Sequence, residues 1–210
     1  MKTICVILAG GKSSRMGRDK AALPLSGETF LSRLVRIYSP VFPVYVSVGE
    51  AGKFSCPGAE EIVDLRPGMG PLAGLEAAFV RTAADAVFLT ATDLPFGTLA
   101  LARKLLSFLG DADACVIRRA NGQPEPAFGV YKRSCLPAVQ DLLAENRRAF
   151  RGLFDRVSVR WLEEAELSEF SLGNILQNVN TPAEYEKALH KADVRKNGGG
   201  EQPCSHSGDE

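Results

Sequence analysis

The residues best suited to chemistry lie in a basic, glycine-containing loop near the N-terminus. An apolar, β-branched run predicts a strand over residues 3–9, and Gly10 and Gly11 follow it directly. Because glycine lets backbone N–H groups approach an anion closely, this loop is suited to binding phosphate. Arg15 and Lys20 could neutralise the phosphate charge, the arginine through two parallel hydrogen bonds. A basic surface turn without a ligand is the alternative, since a glycine-rich loop alone is a weak motif.

Two familiar phosphate loops do not fit this segment. A Walker A loop that ended at Lys12 and Ser13 would need its first glycine where Val6 stands, inside the predicted strand. The dinucleotide fingerprint needs Gly-x-Gly-x-x-Gly, a spacing that the glycines between Gly10 and Gly17 do not have. The segment is therefore a nucleotide loop of another kind.

Asp93 is the second candidate, because it follows a buried-type strand predicted over residues 86–90. A carboxylate at such a position can hold Mg²⁺, which prefers oxygen ligands. The alternative is a structural role, in which Asp93 caps the following helix or stabilises a turn.

The elements that must position these residues alternate between strand-like and helix-like patterns. We predict strands over residues 3–9, 44–48, 61–63, 86–90, 114–117, 128–131 and 157–162, and helices over 29–38, 72–82, 98–109, 136–145, 148–154 and 182–192. This order implies an α/β fold of three layers, with a mostly parallel central sheet flanked by helices. We expect one domain over residues 1–193 and a disordered tail over 194–210, which is polar and rich in glycine.

Ligands of such sheets bind beyond the carboxyl ends of the strands. Gly10, Ser47, Asp64 and Asp93 each fall at the end of a predicted strand. We therefore expect them to border one crevice.

Composition excludes several functional classes. The 25 basic and 25 acidic side chains give no net charge, so neither nucleic acid nor an anionic membrane is an expected partner. The five cysteines form no Cys-x-x-Cys pair, and their odd number argues against a complete disulfide framework. We therefore expect a reducing, cytoplasmic location.

Three motifs resemble one family of enzymes. Leu-Ala-Gly-Gly at 8–11, Ser-Arg-Met-Gly at 14–17 and Asp-Lys at 19–20 together resemble the first motif of Rossmann-like nucleotidyltransferases, the nucleotide-diphospho-sugar transferase type. Within that group the chain is most similar to the molybdenum cofactor guanylyltransferases. Gly-Pro-Leu-Ala-Gly at 70–74 and Asn-Val-Asn-Thr-Pro at 178–182 resemble two further motifs of those enzymes.

The resemblance implies transfer of GMP from GTP to the terminal phosphate of molybdopterin, the molybdenum cofactor, with release of pyrophosphate. It implies that Asp93 holds Mg²⁺ and that Lys20 and Arg15 bind the phosphates. The nucleotide contacts carried over from the family are Leu8, Ala9, Gly10, Gly11, Lys20, Ser47, Asp64, Gly70 and Asp93. Gln123, Asn178 and Asn180 are the expected contacts of the pterin substrate. Transient contact with molybdenum-insertion proteins and acceptor molybdoenzymes is also expected.

Two alternatives remain open at this stage. Many relatives carry Asn where this chain has Ser47, and serine offers fewer hydrogen-bonding groups, so a cytidylyltransferase that uses CTP is the first alternative. A non-catalytic nucleotide-binding regulatory module is the second. It would keep the loop but need no metal-dependent turnover.

Overall fold

A seven-stranded sheet organises the residues that the computed structural model describes, which are 1–9 and 20–198. The strands are β1 (Thr3–Leu8), β2 (Pro24–Leu25), β3 (Glu28–Thr29), β4 (Val44–Val48), β5 (Ala59–Val63), β6 (Ala86–Ala91), β7 (Ala114–Arg118), β8 (Pro124–Lys132) and β9 (Val159–Glu163). The helices are α1 (Phe30–Tyr38), α2 (Pro71–Arg81), α3 (Leu99–Phe108), α4 (Leu136–Ala144), α5 (Phe150–Phe154), α6 (Leu172–Ile175) and α7 (Pro182–Gly198). The sheet order is β5-β4-β1-β6-β8-β7-β9, and β2 and β3 form a separate hairpin.

The expected mostly parallel sheet is confirmed. Strands β5, β4, β1 and β6 run parallel to one another, and β7 runs parallel to β9. Strand β8 runs antiparallel to both of its neighbours, β6 and β7. The carboxyl ends of the parallel strands therefore meet the amino end of β8 at one edge of the sheet.

Alternation along β1 divides the core between the two faces of the sheet. Ile4 and Val6 pack with residues of α2, α4 and α5, whereas Cys5 and Ile7 pack with residues of α1 and α3. Each of these four side chains is at most 1% exposed. Successive strand residues point to opposite faces, so a run that is apolar at every position requires helices on both sides. The expected three-layer arrangement is thus confirmed.

Strand β8 is longer than the sequence pattern indicates. It was expected over residues 128–131 but begins at Pro124, inside a stretch whose glycine and proline content suggests a loop. A bulge explains the difference. Val116 of β7 pairs with Gly129, and the next residue, Ile117, already pairs with Glu125. The extra residues of β8 break the alternation on which strand prediction depends.

Several element ends also differ from the prediction. Helix α5 starts at Phe150 rather than at 148, β5 starts at Ala59 rather than at 61, and β9 occupies 159–163 rather than 157–162. Helix α7 continues to Gly198, beyond its expected end near Ala192. The β2–β3 hairpin and α6 were not predicted, because both are too short to show a period. The remaining expectations for 10–19 and for the tail over 199–210 concern residues outside those described.

Candidate active site

The carboxyl ends of four strands come together as the sequence predicts. The N–H of Ala9 donates to the carbonyl of Ser47 (3.1 Å), which joins the end of β1 to β4. The N–H of Asp64 donates to the last carbonyl of β4 (2.8 Å), and the N–H of Thr92 donates to the carbonyl of Leu8 (3.1 Å). The residues after β1, β4, β5 and β6 therefore border one region, while the expected contacts Gly10, Gly11 and Arg15 lie outside the described residues.

One side of this region is a cleft of about 820 Å³. Its lining includes Leu8, Ser47, Asp64, Gly70 and Arg148. A cleft of this size at the carboxyl edge of a parallel sheet suits a small ligand. Arg148 was not singled out from the sequence. It reaches the rim because its guanidinium donates to the carbonyl of Gly68 (3.1 Å) in the loop before α2.

Ser47 and Asp64 form a hydrogen-bonded pair in the wall of the cleft. The Ser47 hydroxyl donates to Oδ1 of Asp64 (2.8 Å), and Ser47 is only 2% exposed. Ser47 is therefore a buried residue of the cleft wall and not a strand residue that faces solvent. Burial raises the pKa of Asp64, the hydrogen bond from Ser47 lowers it, and the negative charge of Glu76 raises it.

Glu76 lies beneath the cleft on α2 and is itself buried. Its carboxylate pairs with the guanidinium of Arg66 at 3.4 Å. Arg66 belongs to the loop between Asp64 and α2, so this ion pair joins that loop to the helix below it.

Two glycines of the Gly-Pro-Leu-Ala-Gly motif are required by geometry. Gly70 caps α2 with φ +76° and ψ −167°, a conformation that residues with a Cβ rarely adopt. Gly74 lies where α2 crosses β1 and β4, and a Cβ there would come within 2.5 Å of Oγ of Ser47 and 2.6 Å of Cδ2 of Leu8. The motif therefore lets the helix pack directly behind the Ser47–Asp64 pair.

Asp93 lies in the turn that follows β6. It does not cap the next helix, because that cap is Thr98, whose hydroxyl accepts a hydrogen bond from the N–H of Leu101 (3.3 Å). Among the described residues, Oδ1 of Asp93 is buried without a hydrogen-bond partner. Burial raises the pKa of Asp93, and the positive charge of Lys20 lowers it. A buried, unpartnered carboxylate oxygen suits a bound cation.

The Asn-Val-Asn-Thr-Pro segment contacts both the Asp93 turn and Lys20. The N–H of Val179 donates to the backbone carbonyl of Asp93 (2.9 Å). The Lys20 ammonium donates to Oδ1 of Asn180. Lys20, Asp93 and Asn180, which are far apart in sequence, are thereby placed together.

Helix α7 holds Asn180 in place. Its predicted start is confirmed, because the N–H of Glu184 donates to the Thr181 hydroxyl (3.2 Å) and the N–H of Thr181 donates to the Glu184 carboxylate (2.9 Å). The same carboxylate accepts the N–H of Asn180 (2.7 Å). The capping residues thus also fix the backbone that presents the Asn180 side chain.

Glu125, on β8, is a titratable residue of this region that was not singled out from the sequence, where Gln123 was the expected contact. Burial raises the pKa of Glu125 to about 7, Arg119 opposes this shift, and the negative charge of Asp93 adds to it. Gln123 is exposed in a tight turn, where its carbonyl accepts the N–H of Arg119 (2.9 Å). Glu125 lies only two residues after Gln123, but the start of β8 at Pro124, which holds it in the sheet, was not predicted.

Comparison with known proteins places this geometry in a family. Residues 5–161 match the family described as "MobA-like NTP transferase domain". A probable molybdenum cofactor guanylyltransferase of Carboxydothermus hydrogenoformans is 35% identical over 184 residues, which cover 87% of this chain and 93% of that protein. This chain belongs to the MobA-like NTP transferase family. It is an enzyme, a nucleotidyltransferase, and its similarity to the molybdenum cofactor guanylyltransferases is confirmed.

Solved structures show that the fold of this MobA-like enzyme is a Rossmann-like nucleotidyltransferase fold. The molybdopterin-guanine dinucleotide biosynthesis protein A of Archaeoglobus fulgidus superposes with a TM-score of 0.78 at 23% identity, over 91% of this chain and 98% of that one. A protein of Mycobacterium tuberculosis H37Rv, solved as a complex with manganese, superposes with a TM-score of 0.62 at 20% identity, over 90% and 99%. At such identities the likeness concerns the fold. In the described part of the chain, no helix is both long enough and apolar enough to span a membrane.

Proposed function

We propose that this nucleotidyltransferase transfers GMP from GTP to the terminal phosphate of molybdopterin carrying molybdenum, and releases pyrophosphate. The observation that carries the proposal is the meeting of Lys20, Asp93 and Asn180 at the sheet edge that also holds the Ser47–Asp64 pair. The similarity to proteins named molybdenum cofactor guanylyltransferase supports this choice of substrates.

The cleft beside β4 suits the nucleoside. Guanine presents two adjacent donors, the N1–H and the N2 amine, and a carboxylate can accept both. Asp64 is placed to do so, since it lines the cleft and its Oδ1 is oriented by the Ser47 hydroxyl. Leu8, Ala9 and Gly70 would present their backbone to the base and ribose. In this arrangement serine in place of asparagine acts through Asp64, so guanine recognition does not depend on a side-chain amide.

The phosphates would lie between this cleft and Lys20. An oxygen of the acceptor phosphate attacks the α-phosphorus, the bond from that phosphorus to the β-phosphate oxygen breaks, and pyrophosphate leaves with the electron pair. The attacking phosphate is already anionic, so no general base is needed. Lys20 and Arg15 would stabilise the charge that grows on the leaving group.

Asp93 would hold Mg²⁺, with Asn180 close by. When bound, the ion supplies charge neutralisation and fixes the geometry of in-line transfer. The unpartnered, buried Oδ1 of Asp93 fits this role, whereas a capping or ion-paired aspartate would not.

The pterin substrate is assigned to the side of the site that lies away from the nucleotide cleft. We propose that Gln123, in the exposed turn before β8, and Asn178, beside the Asp93 turn, contact the pterin. We also propose that the enzyme works in the cytoplasm and meets molybdenum-insertion proteins and acceptor molybdoenzymes transiently.

Calorimetry with Mg²⁺ and each of GTP, CTP, ATP and UTP tests the nucleotide first. Selective GTP binding, followed by pyrophosphate release on addition of molybdenum-loaded molybdopterin, is the expected result. Selective CTP binding would replace the proposal with a cytidylyltransferase. GTP binding without turnover of the loaded pterin would favour the regulatory module.

A further inference from the structure

We propose that Glu125 is a second carboxylate ligand of the divalent cation, so that the ion is held between Asp93 and Glu125. This inference rests on the proposed function only in taking Asp93 as a ligand. Asp93 follows β6 and Glu125 lies on β8. The antiparallel pairing of these two strands brings together residues that are 32 positions apart in sequence.

The pairing register carries both residues beyond the last β6–β8 pair, toward the same edge of the sheet. Leu89 of β6 pairs with Gly129 of β8, and this is the last pair between the two strands. Asp93 follows Leu89 by four residues, and Glu125 precedes Gly129 by four residues. Because the strands run antiparallel, both chains leave this pair in the same direction, toward the edge where the strand ends meet.

The bulge in β8 gives Glu125 a fixed place there. Glu125 pairs with Ile117 of β7, while the three residues 126–128 pair with no residue of that strand. The Tyr131 hydroxyl donates to the carbonyl of Pro126 (2.8 Å), which holds the bulge closed. Bulges next to active sites commonly redirect a side chain, and this one anchors Glu125 beside the Asp93 turn.

In the described part of the chain, neither carboxylate forms an ion pair. Within residues 1–9 and 20–198, the half-buried Glu125 side chain forms no hydrogen bond and no ion pair, and Oδ1 of Asp93 has no partner. Arg119 lies near Glu125 but pairs with Glu164 (3.7 Å). By contrast, Glu163 at the end of β9 pairs with Arg118 (2.9 Å).

Two half-buried carboxylates of like charge disfavour each other unless a cation lies between them. Mg²⁺ typically takes one or two protein carboxylates and completes its shell with phosphate oxygens and water. Asp93 and Glu125 supply that number at this edge of the sheet.

Binding of Mn²⁺ tests the assignment without reference to turnover. Free Mn²⁺ is measured by electron paramagnetic resonance with the full chain and the α,β-methylene analogue of GTP. Glu125→Gln should weaken Mn²⁺ binding by about tenfold or more, as changes around metal sites commonly do. Asp93→Asn should weaken it as well. Glu163→Gln, which removes the same charge from a paired glutamate at the same end of the sheet, should leave it unchanged.

Other outcomes overturn the inference in distinguishable ways. Wild-type affinity in Glu125→Gln together with weak binding in Asp93→Asn would remove Glu125 and leave the proposed function standing. An equal loss of Mn²⁺ affinity in Glu163→Gln would show that the effect comes from the change in net charge and not from the loss of a ligand. No Mn²⁺ binding by the wild-type complex would overturn both proposals. Calorimetry of the analogue without metal confirms that each variant is folded, and Glu125→Asp, with its shorter reach, provides a second variant with the same expected direction.

Discussion

The ammonium of Lys20 donates a hydrogen bond to Oδ1 of Asn180, which joins the end of the basic N-terminal loop to the turn before the last helix. The two residues are 160 positions apart. Asn180 is itself fixed, because its N–H donates to the Glu184 carboxylate at 2.7 Å. The cation proposed to meet the phosphates is thus positioned by the far end of the domain.

Lys20→Ala should lower turnover by about 10²–10³-fold, since it removes a preorganised cation from the leaving phosphates. Asn180→Ala should lower turnover less, because the cation remains but loses its orientation. The double variant should be little worse than Lys20→Ala alone, since both changes affect one interaction. Steady-state pyrophosphate release measures all three. Independent, multiplying losses would show that Asn180 acts separately from Lys20.

Asp93→Asn should abolish turnover while metal-free GTP binding persists. The amide keeps the shape of the side chain but loses the charge that would hold the cation. Asp113→Asn is the matched control. Unlike Asp93, Asp113 accepts hydrogen bonds from Ser134 and Ser158, and it lies at the amino end of β7, away from the site. Near-normal activity of Asp93→Asn would remove this residue from the metal role.

The sequence predicts the parts of this enzyme that regular patterns encode. Continuous apolar runs such as the one through Val6 specify buried parallel strands, and the Thr181–Glu184 capping box specifies the start of α7 to the residue. Strand ends then place Ser47, Asp64 and Asp93 at one edge. What the sequence does not predict depends on long-range register. Glu125 comes to the edge that holds Asp93 only through the pairing of β8 with β6 and the bulge in β8, and no local sequence period indicates either.

The Ser47–Asp64 pair should govern both the base preference and its pH dependence. Ser47→Ala removes a hydrogen bond to a charged acceptor and should raise KM for GTP by about tenfold. Asp64→Asn should abolish the preference for GTP over ITP, which lacks the N2 amine. A turnover assay with GTP gives KM, and competition between GTP and ITP in the same assay gives the preference.

The sign of the pH effect follows from the burial of Asp64. Burial raises its pKa above the ordinary value of 3.8, so the carboxylate becomes protonated at a higher pH than usual. KM for GTP should therefore rise as the pH falls, and the rise should begin at a higher pH than an aspartate of ordinary pKa would give. The hydrogen bond from Ser47 lowers this pKa, so Ser47→Ala should move the rise to a still higher pH. The profile of Asp64→Asn should lack this titration, and persistence of the acidic limb in that variant would assign it to another group.

Gly74→Ala should destabilise the protein and weaken GTP binding, although alanine ordinarily favours a helix. The added Cβ would lie 2.5 Å from Oγ of Ser47 and 2.6 Å from Cδ2 of Leu8, so α2 must move away from the wall of the cleft. Overpacking of this kind costs about 1–3 kcal/mol, or a fall in Tm of roughly 2–4 °C per kcal/mol for a chain of this length. Gly173→Ala is the control, because a Cβ there has no heavy atom within 4 Å. Adding Ser47→Ala to Gly74→Ala should recover part of the lost Tm, since it removes the closer of the two obstructing atoms. A rise in Tm for Gly74→Ala alone would mean that helix propensity outweighs the contact, and α2 would then not be held against Ser47 as described.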